Sequence, residues 1–394
     1  MERIEQAVIL AAGEGQRLRP FTSSKPKVMI PIANKPILQY VVESVAQCGI
    51  RNITIIVGYR KEQVINHFGS GDSFGVEIKY VEHKQQLGTA HALKQVDGKI
   101  KGKFLTLAGD NLIEPDTISN MIKEKPNTIL VKEQENISKY GVIEIQDGVV
   151  INIEEKPDQA ISHLVNTGIY VFNDQIFSLI DQETDMTTVI RNMINLGHEI
   201  YTCQSDGVWL DVVFPWDMLK VNDLALAKTQ PISGGTIESG VTTKGPVAIG
   251  KGTLVRSNSY IVGPTMIGED CEIGPGVCIL PSTSIGNNVC IAPFSTITNS
   301  IIADGVEIGA NSTVQDSVID RGCRIKGHLM TQSDKQEIKI DGEHHTIYIG
   351  AMIGEHCSIG STVITRPGVI IGNRAQIGPL NVVREHIPDE GIVM

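Results

Sequence analysis

Several short stretches in the first 211 residues carry side chains suited to phosphate chemistry. Leu10-Ala11-Ala12-Gly13-Glu14-Gly15-Gln16-Arg17-Leu18 leaves an apolar run directly. Its small residues allow a close backbone approach, and free N–H groups can cradle phosphate oxygens. No Lys-Ser or Lys-Thr follows at P-loop spacing, and Leu18 stands where a dinucleotide fingerprint needs its third small residue. Arg17 offers a fixed fork of donors for phosphate; a surface ion pair is an equal reading of that residue alone. Lys25-Pro26-Lys27 pins two cations beside a proline, which suits aiming a charge, although a basic loop is more often only solvated. In Gln86-Leu87-Gly88-Thr89-Ala90, Gly88 permits approach of a planar ring, while Thr89 reads first as a plain helix N-cap. Leu105-Thr106-Leu107-Ala108-Gly109-Asp110 is an apolar strand ending in an acid. A carboxylate there can hold Mg²⁺ bound to substrate phosphates; a turn aspartate is the plain alternative. Val208-Trp209-Leu210-Asp211 offers a second acid in an apolar setting, and two such acids repel each other without an ion between them.

These residues need elements to carry them. Ala7–Ala11 reads as a buried strand, Asn52–Val57 as a β-branched strand, and Val76–Val81 and Lys103–Leu107 as further strands. A helix is expected near Lys35–Cys48, with Asn34 as N-cap, Ile37, Leu38, Val41, Val42 and Val45 on one face, and Gly49 as its stop. Strands separated by helices imply crossovers and a mostly parallel sheet. In such a sheet, ligands bind beyond the carboxyl ends of the strands.

After about residue 245 the pattern changes. Every sixth residue from Ile249 through Val255, Ile261, Ile267, Ile273, Ile279, Ile285 and Ile291 to Ile297 is a β-branched aliphatic. The frame slips by one residue to Ile302, Ile308 and Val314, and slips again to Ile319 and Ile325. A non-repeating insertion, about Lys326–Thr346, precedes Ile347, Ile353, Ile359, the exception Thr365, Ile371, Ile377 and Val383. This period fits short strands coiled into a solenoid, with one aliphatic per step pointing inward and glycine serving turn positions of positive φ. Pro231-Ile232-Ser233-Gly234-Gly235 is a turn-rich linker.

The formal net charge of −11 argues against a nucleic-acid partner, while a local cluster of Lys and Arg still permits small anionic substrates. Charges in Met1-Glu2-Arg3-Ile4-Glu5-Gln6 argue against a signal peptide, and no apolar run approaches the ~20 residues of a membrane span. Cys48, Cys203, Cys271, Cys278, Cys290, Cys323 and Cys357 form no C-x-x-C pair. Neither a disulfide framework nor a zinc site is indicated, and a reduced, cytoplasmic protein with no membrane partner is expected.

In order, Leu10–Gly13, Gly15-x-Arg17-Leu18, Pro26-Lys27, Gly88-Thr89, Gly109-Asp110, Glu155-Lys156-Pro157, Asn166-Thr167-Gly168 and Trp209-Leu210-Asp211 resemble the sugar-1-phosphate nucleotidylyltransferases. The second half resembles the left-handed β-helix appended to many of them. The resemblance implies an α/β fold: a Rossmann-like, mostly parallel nucleotidyltransferase domain over 1–230, a linker over 231–246 and an all-β left-handed parallel β-helix of hexapeptide repeats over 247–394. It further implies attack of a hexose 1-phosphate (glucose 1-phosphate or N-acetylglucosamine 1-phosphate) on a nucleoside triphosphate (dTTP or UTP), with release of pyrophosphate. Leu10, Ala11, Ala12 and Gly13, with Gly15, would bind the nucleotide. Arg17 and Lys27 would stabilise charge on the triphosphate, and Asp110 and Asp211 would ligate Mg²⁺. Gly88 and Thr89 would flank the base. Lys156 would contact the sugar phosphate. Glu155, or its neighbour Glu154, would bond sugar hydroxyls together with Asn166, and Gly141 would back the sugar. A homo-oligomer, trimer or higher, built through the β-helix is also implied.

Two departures stand out. His83 occupies the place where relatives commonly carry a glutamine that reads a pyrimidine. In bifunctional relatives the β-helix also acetylates glucosamine 1-phosphate with acetyl-CoA, using a His base and a Tyr. The matching stretch here, Gly309–Ser317, has neither; Ala310 and Thr313 stand in their places, which makes acetyl transfer improbable. His328, His344, His345 and His356 lie later. A third reading, a non-catalytic nucleotide-sugar-binding regulatory subunit, predicts loss of Arg17, Lys27, Asp110 or Asp211, and all four are present.

Overall fold

The computed structural model describes residues 4–134, 137, 140–157, 162–340 and 343–394. Glu2 and Arg3 of the charged start lie outside the described residues, as do the side chains of His344 and His345. By internal contacts the chain divides into two compact units. The first comprises Met1–Glu14, Lys25–Met29 and Ile37–Asp211; the second comprises Gly15–Ser24, Ile30–Pro36 and Val212–Met394.

The first unit is built on a mixed sheet between layers of helices. Its strands are β1 (Gln6–Ala11), β2 (Asn52–Val57), β3 (Glu77–Glu82), β4 (Lys103–Ala108), β5 (Asn111–Ile113), β6 (Thr128–Glu133), β7 (Gly141–Gln146), β8 (Val149–Glu155), β9 (Leu164–Asn173), β10 (Tyr201–Gln204) and β11 (Trp209–Asp211). The main sheet runs β3-β2-β1-β4-β9-β6-β10-β8-β7. Its first four strands are parallel, as the crossovers require. From β9 onward the pairing is antiparallel except for β10 beside β6. The expected mostly parallel sheet is therefore confined to the N-terminal half. Helices α1 (Ile37–Gln47), α2 (Lys61–Phe68), α3 (Thr89–Lys94), α4 (Pro115–Met121), α5 (Ile176–Ile180) and α6 (Met186–Asn195) cover the sheet.

The expected apolar face of α1 is buried, but the helix starts later than expected. Lys35-Pro36 instead pairs with Pro31-Ile32, and Asn34 has φ 62° and donates to the Ile285 carbonyl at 2.7 Å rather than capping the helix.

The second unit is a parallel β-helix of three sheets with eight, nine and eight strands. Equivalent strands sit 18 residues apart, as in Ile249, Ile267 and Ile285. Both frame slips fall at one corner. The coil that pairs Ile285 with Ile302 and the coil that pairs Ile302 with Ile319 are each one residue shorter. At that corner Asn299 and Asp316 stack, with the Asn299 amide donating to the Asp316 carboxylate at 2.6 Å.

Three expectations about this unit change. The stretch expected as linker already forms the first coil, because Ile232–Ser233, Thr236–Ile237 and Thr242–Lys244 pair in parallel with the coil above. The insertion is narrower than Lys326–Thr346. Met330–Thr331 stays in the coil, and a hairpin of Asp334–Ile340 and Glu343–Ile349 projects from it, so Ile347 belongs to the hairpin and not to the repeat. The glycines that follow the aliphatics do not serve positive φ. A Cβ on Gly250 would meet the Gly268 carbonyl oxygen at 2.4 Å, and one on Gly268 would meet the Gly286 oxygen at 2.5 Å. Glycine is required there for coil-to-coil approach. The positive-φ corners two residues on are filled by Gly252, Asp270 and Asn288.

The second unit also holds a seventh helix, α7 (Asp217–Leu226). Its buried Asn222 accepts from the Ala33 N–H at 2.9 Å and the Ser284 hydroxyl at 2.8 Å, and donates to the Ser282 carbonyl at 3.0 Å. The Asn373 amide reaches the Pro20 carbonyl at 3.1 Å, and the Ser24 hydroxyl donates to Glu355 at 2.7 Å. These bonds explain why residues 15–24 and 30–36 fold with the solenoid. All seven cysteines are free thiols.

Candidate active site

The parallel strands β1, β3 and β4 all point their carboxyl ends at one cavity of about 290 Å³ in the first unit. Its walls are Leu10, Ala11, Ala12, Gly13, Lys27, Val28, His83, Gln86, Gly88, Thr89, Ala92, Ala108 and Asp110. Open-sheet topology demands a crevice at this edge. Gly109 N–H donates to the Leu10 carbonyl at 2.9 Å, which holds the ends of β1 and β4 together. At the wall the Lys27 Nζ lies 2.5 Å from Asp110 Oδ2.

The opposite wall is built by α3. Gly88 has φ 137°, and a Cβ there would lie 2.3 Å from the Thr184 carbonyl oxygen, so only glycine lets this loop pass. Thr89 is the first residue of α3 rather than its cap. Its hydroxyl accepts from the Met186 N–H at 3.2 Å, tying α3 to the start of α6. The N-cap expected for Thr89 fails because the side chain is engaged across the fold.

Strand pairing brings the Asp211 backbone to the residue that follows Asp110. In the antiparallel β5–β11 ladder, Asp211 lies opposite Asn111, the neighbour of Asp110. Tyr140 donates its hydroxyl to Asp211 Oδ1 at 2.8 Å, and its ring lies 5.3 Å from that of Trp209. The Tyr140 carbonyl accepts from the Lys156 N–H at 3.1 Å, where Lys156 turns with φ 47°. Tyr140 thus connects the second acid to the Glu155-Lys156 stretch.

That stretch forms a second polar cluster. Glu155 lies opposite Gly141 in the β8–β7 ladder. A Cβ on Gly141 would meet Glu155 Oε2 at 3.1 Å and approach Thr187 Oγ1 and Asn166 Cβ, so these four residues share one pocket floor. Thr187 donates to Glu155 at 2.9 Å. Asn166 sits at an irregularity of β9, where its Oδ1 accepts from Gly168 N–H at 3.0 Å and its amide donates to the buried Tyr170 hydroxyl at 2.8 Å. Strand alternation places Glu154 on the opposite face from Glu155.

Gly15 and Arg17 fold with the second unit, where the Arg17 guanidinium lies 5.9 Å from the centre of the Phe214 ring. Sequence reasoning assigned no role to Tyr140, Thr187, Gln86 or His91. Tyr140 stands beside a quoted glycine and His91 two residues after the quoted Thr89 on α3, whereas Thr187 arrives from a helix distant in sequence, and no local pattern marks it.

Among the described residues no group of three or more His, Cys, Asp or Glu side chains is placed to hold a metal ion. Asp110, in the turn before β5, and Asp211, on the strand paired with β5, are nonetheless donors of the type Mg²⁺ takes, since it fills its remaining positions with water and substrate phosphates.

Comparison with known proteins identifies the family. Residues 6–227 match the nucleotidyl transferase family, 261–344 match the GMPPB C-terminal domain, and 350–378 match the hexapeptide repeat of succinyl-transferase. The chain is 34% identical to the bifunctional protein GlmU of Methanococcus vannielii, over 98% of this chain and 97% of that protein. It is 32% identical to the bifunctional sugar-1-phosphate nucleotidylyltransferase/acetyltransferase of Sulfurisphaera tokodaii, over 97% and 98% of the two chains. It is also 32% identical to the glucose-1-phosphate thymidylyltransferase of Streptomyces antibioticus, over 82% and 94%. A solved Bacillus anthracis structure, assigned as a glucose-1-phosphate thymidylyltransferase in complex with a sucrose, superposes with a TM-score of 0.52 at 28% identity, covering 56% of this chain and 94% of that one. The chain belongs to the nucleotidyl transferase family and carries hexapeptide repeats behind that domain.

Proposed function

We propose that the protein is a Mg²⁺-dependent, cytoplasmic sugar-1-phosphate nucleotidylyltransferase. It joins dTTP or UTP to glucose 1-phosphate or N-acetylglucosamine 1-phosphate, and its β-helix assembles a homo-oligomer. The observation that carries the reading is the Lys27–Asp110 pair at the wall of the strand-end cavity, one residue from the strand that faces Asp211.

An oxygen of the sugar 1-phosphate attacks the α-phosphorus in line. The new P–O bond forms as the bond to the β-bridging oxygen breaks, and pyrophosphate leaves. Both reactants are polyanions, so positioning and charge neutralisation dominate the barrier. The backbone of Leu10–Gly13 lies along the nucleotide, and Gly88 and Thr89 flank its base. In the free protein Lys27 is paired with Asp110; an arriving triphosphate draws the ammonium to phosphate oxygens and frees the carboxylate. Asp110 and Asp211 would hold Mg²⁺, which supplies charge neutralisation between the α-phosphate and the incoming phosphate when bound. Tyr140 orients Asp211. Lys156 meets the sugar phosphate, and Glu155 and Asn166 take sugar hydroxyls above Gly141.

The deciding experiment is a matrix of triphosphates against sugar phosphates, scored by released pyrophosphate. Turnover is expected with the named pairs, is lost on chelation of divalent cations, and falls by about 10³-fold in Asp110→Asn with an unchanged melting temperature. Release from no pair, or near-normal turnover in Asp110→Asn, would overturn the reading.

A second reading is acetyl transfer by the solenoid. A relative named as an acetyltransferase aligns over nearly the whole chain, and the solenoid has a cavity of about 720 Å³ lined in part by Arg366 and Arg384, a suitable seat for an anionic acyl donor. Among the described residues no histidine lines it. CoA release from acetyl-CoA and glucosamine 1-phosphate would establish this activity, and its absence would confine the chain to nucleotidyl transfer.

A further inference from the structure

The cavity wall contains a pair of histidines in direct contact. His83 is 2% exposed, and its Nε2 lies 2.7 Å from Nδ1 of His91. The ring centres are 4.9 Å apart. His83 lines the cavity and His91 does not. His91 is held behind it on α3: its N–H donates to the Thr184 carbonyl at 3.3 Å, and its carbonyl accepts from the Gln95 amide at 3.1 Å. Burial, and after it the adjacent ring, hold His83 below the usual histidine range, so His83 is uncharged near neutrality.

Two ring nitrogens 2.7 Å apart form a hydrogen bond in which one donates and the other accepts. In one arrangement His83 Nε2–H donates to a bare His91 Nδ1, and both rings carry their hydrogen on Nε2. In the other, His91 Nδ1–H donates to His83, and both rings carry it on Nδ1. Histidine side chains in water favour the Nε2–H form, so the first arrangement uses the preferred tautomer twice. It leaves His83 Nδ1 as a bare acceptor.

We propose that His91 is a positioning residue that locks His83 in the Nε2–H tautomer, so that His83 Nδ1 accepts the N3–H of uracil or thymine and discriminates against cytosine. Cytosine N3 carries no hydrogen, so two lone pairs would face each other in a buried site, and neither would be satisfied. The inference rests on the nucleotide reading above and adds the origin of its base selectivity.

The test compares the wild type with His91→Phe and His91→Gln, using kcat/KM for UTP and CTP and the ¹⁵N shifts of the His83 ring. The wild type is expected to prefer UTP and to show the hydrogen on Nε2. His91→Phe should reduce the UTP-to-CTP preference by about tenfold, mainly through KM, and give a mixture of His83 tautomers. His91→Gln, whose amide oxygen can accept from Nε2–H, should restore both. Equal use of UTP and CTP by the wild type, or an unchanged ratio in folded His91→Phe, overturns the proposal. If His91→Phe fails to fold, the wild-type shifts decide, because hydrogen on His83 Nδ1 overturns it directly. Pyrophosphate release from no triphosphate at all defeats the nucleotide reading instead, and the ¹⁵N arm still tests the tautomer.

Discussion

Lys27 and Asp110 retain 18% and 23% of their side-chain exposure. For a pair this largely shielded from water, the cost of desolvating both charges offsets much of their attraction, so its short distance bears on what the cavity receives rather than on what holds the fold together. His83 is the contrasting case, because burial acts on it directly. The folded protein keeps its ring neutral where an unfolded chain would take up a proton. That contribution to stability is complete above about pH 6.5 and is lost as the pH falls through the depressed native value. The wild-type melting temperature is expected to fall between pH 7 and pH 5 more steeply than that of His83→Gln. Parallel curves would show that His83 titrates alike in both states.

Elements convert these residues into a site. The signals Gly109-Asp110 and Trp209-Leu210-Asp211 are about a hundred positions apart, and the β5–β11 ladder pairs the second with the strand that directly follows the first. Gly88 shows the reverse dependence, since the loop's close pass over Thr184 selects the residue. In the solenoid the element is the coil, and its stability comes from an inward column of aliphatics. Ile291 is fully buried between Ile273 and Ile308. Ile291→Ala is expected to cost about 2–5 kcal/mol by cavity formation. Measured by denaturant unfolding of the second unit's transition, a loss below about 0.5 kcal/mol would mean that neighbouring coils close the gap.

At the scale of the molecule, two excursions of the N-terminal chain, residues 15–24 and 30–36, fold with the solenoid. A division at about residue 230 follows chain order, whereas the contacts cross it. A solenoid with flat sheet faces and exposed apolar side chains such as Phe294 and Val382 is suited to packing against copies of itself. Sedimentation is expected to report a trimer or higher; a monomer across the working concentration range would remove the assembly role.

Local chemistry and periodicity were enough to determine several features of this protein. The six-residue period specified a solenoid because each coil repeats one steric problem. The apolar runs specified the strands, and the small residues after β1 with the acid after β4 marked one edge of the sheet. What only the tertiary structure decided are the relations between positions on different elements: Tyr140 on Asp211, Thr187 on Glu155, His91 behind His83, and Asn222 among the coils. Such contacts depend on strand register and helix placement, which are set by packing of the whole core, and no short window of sequence carries that information.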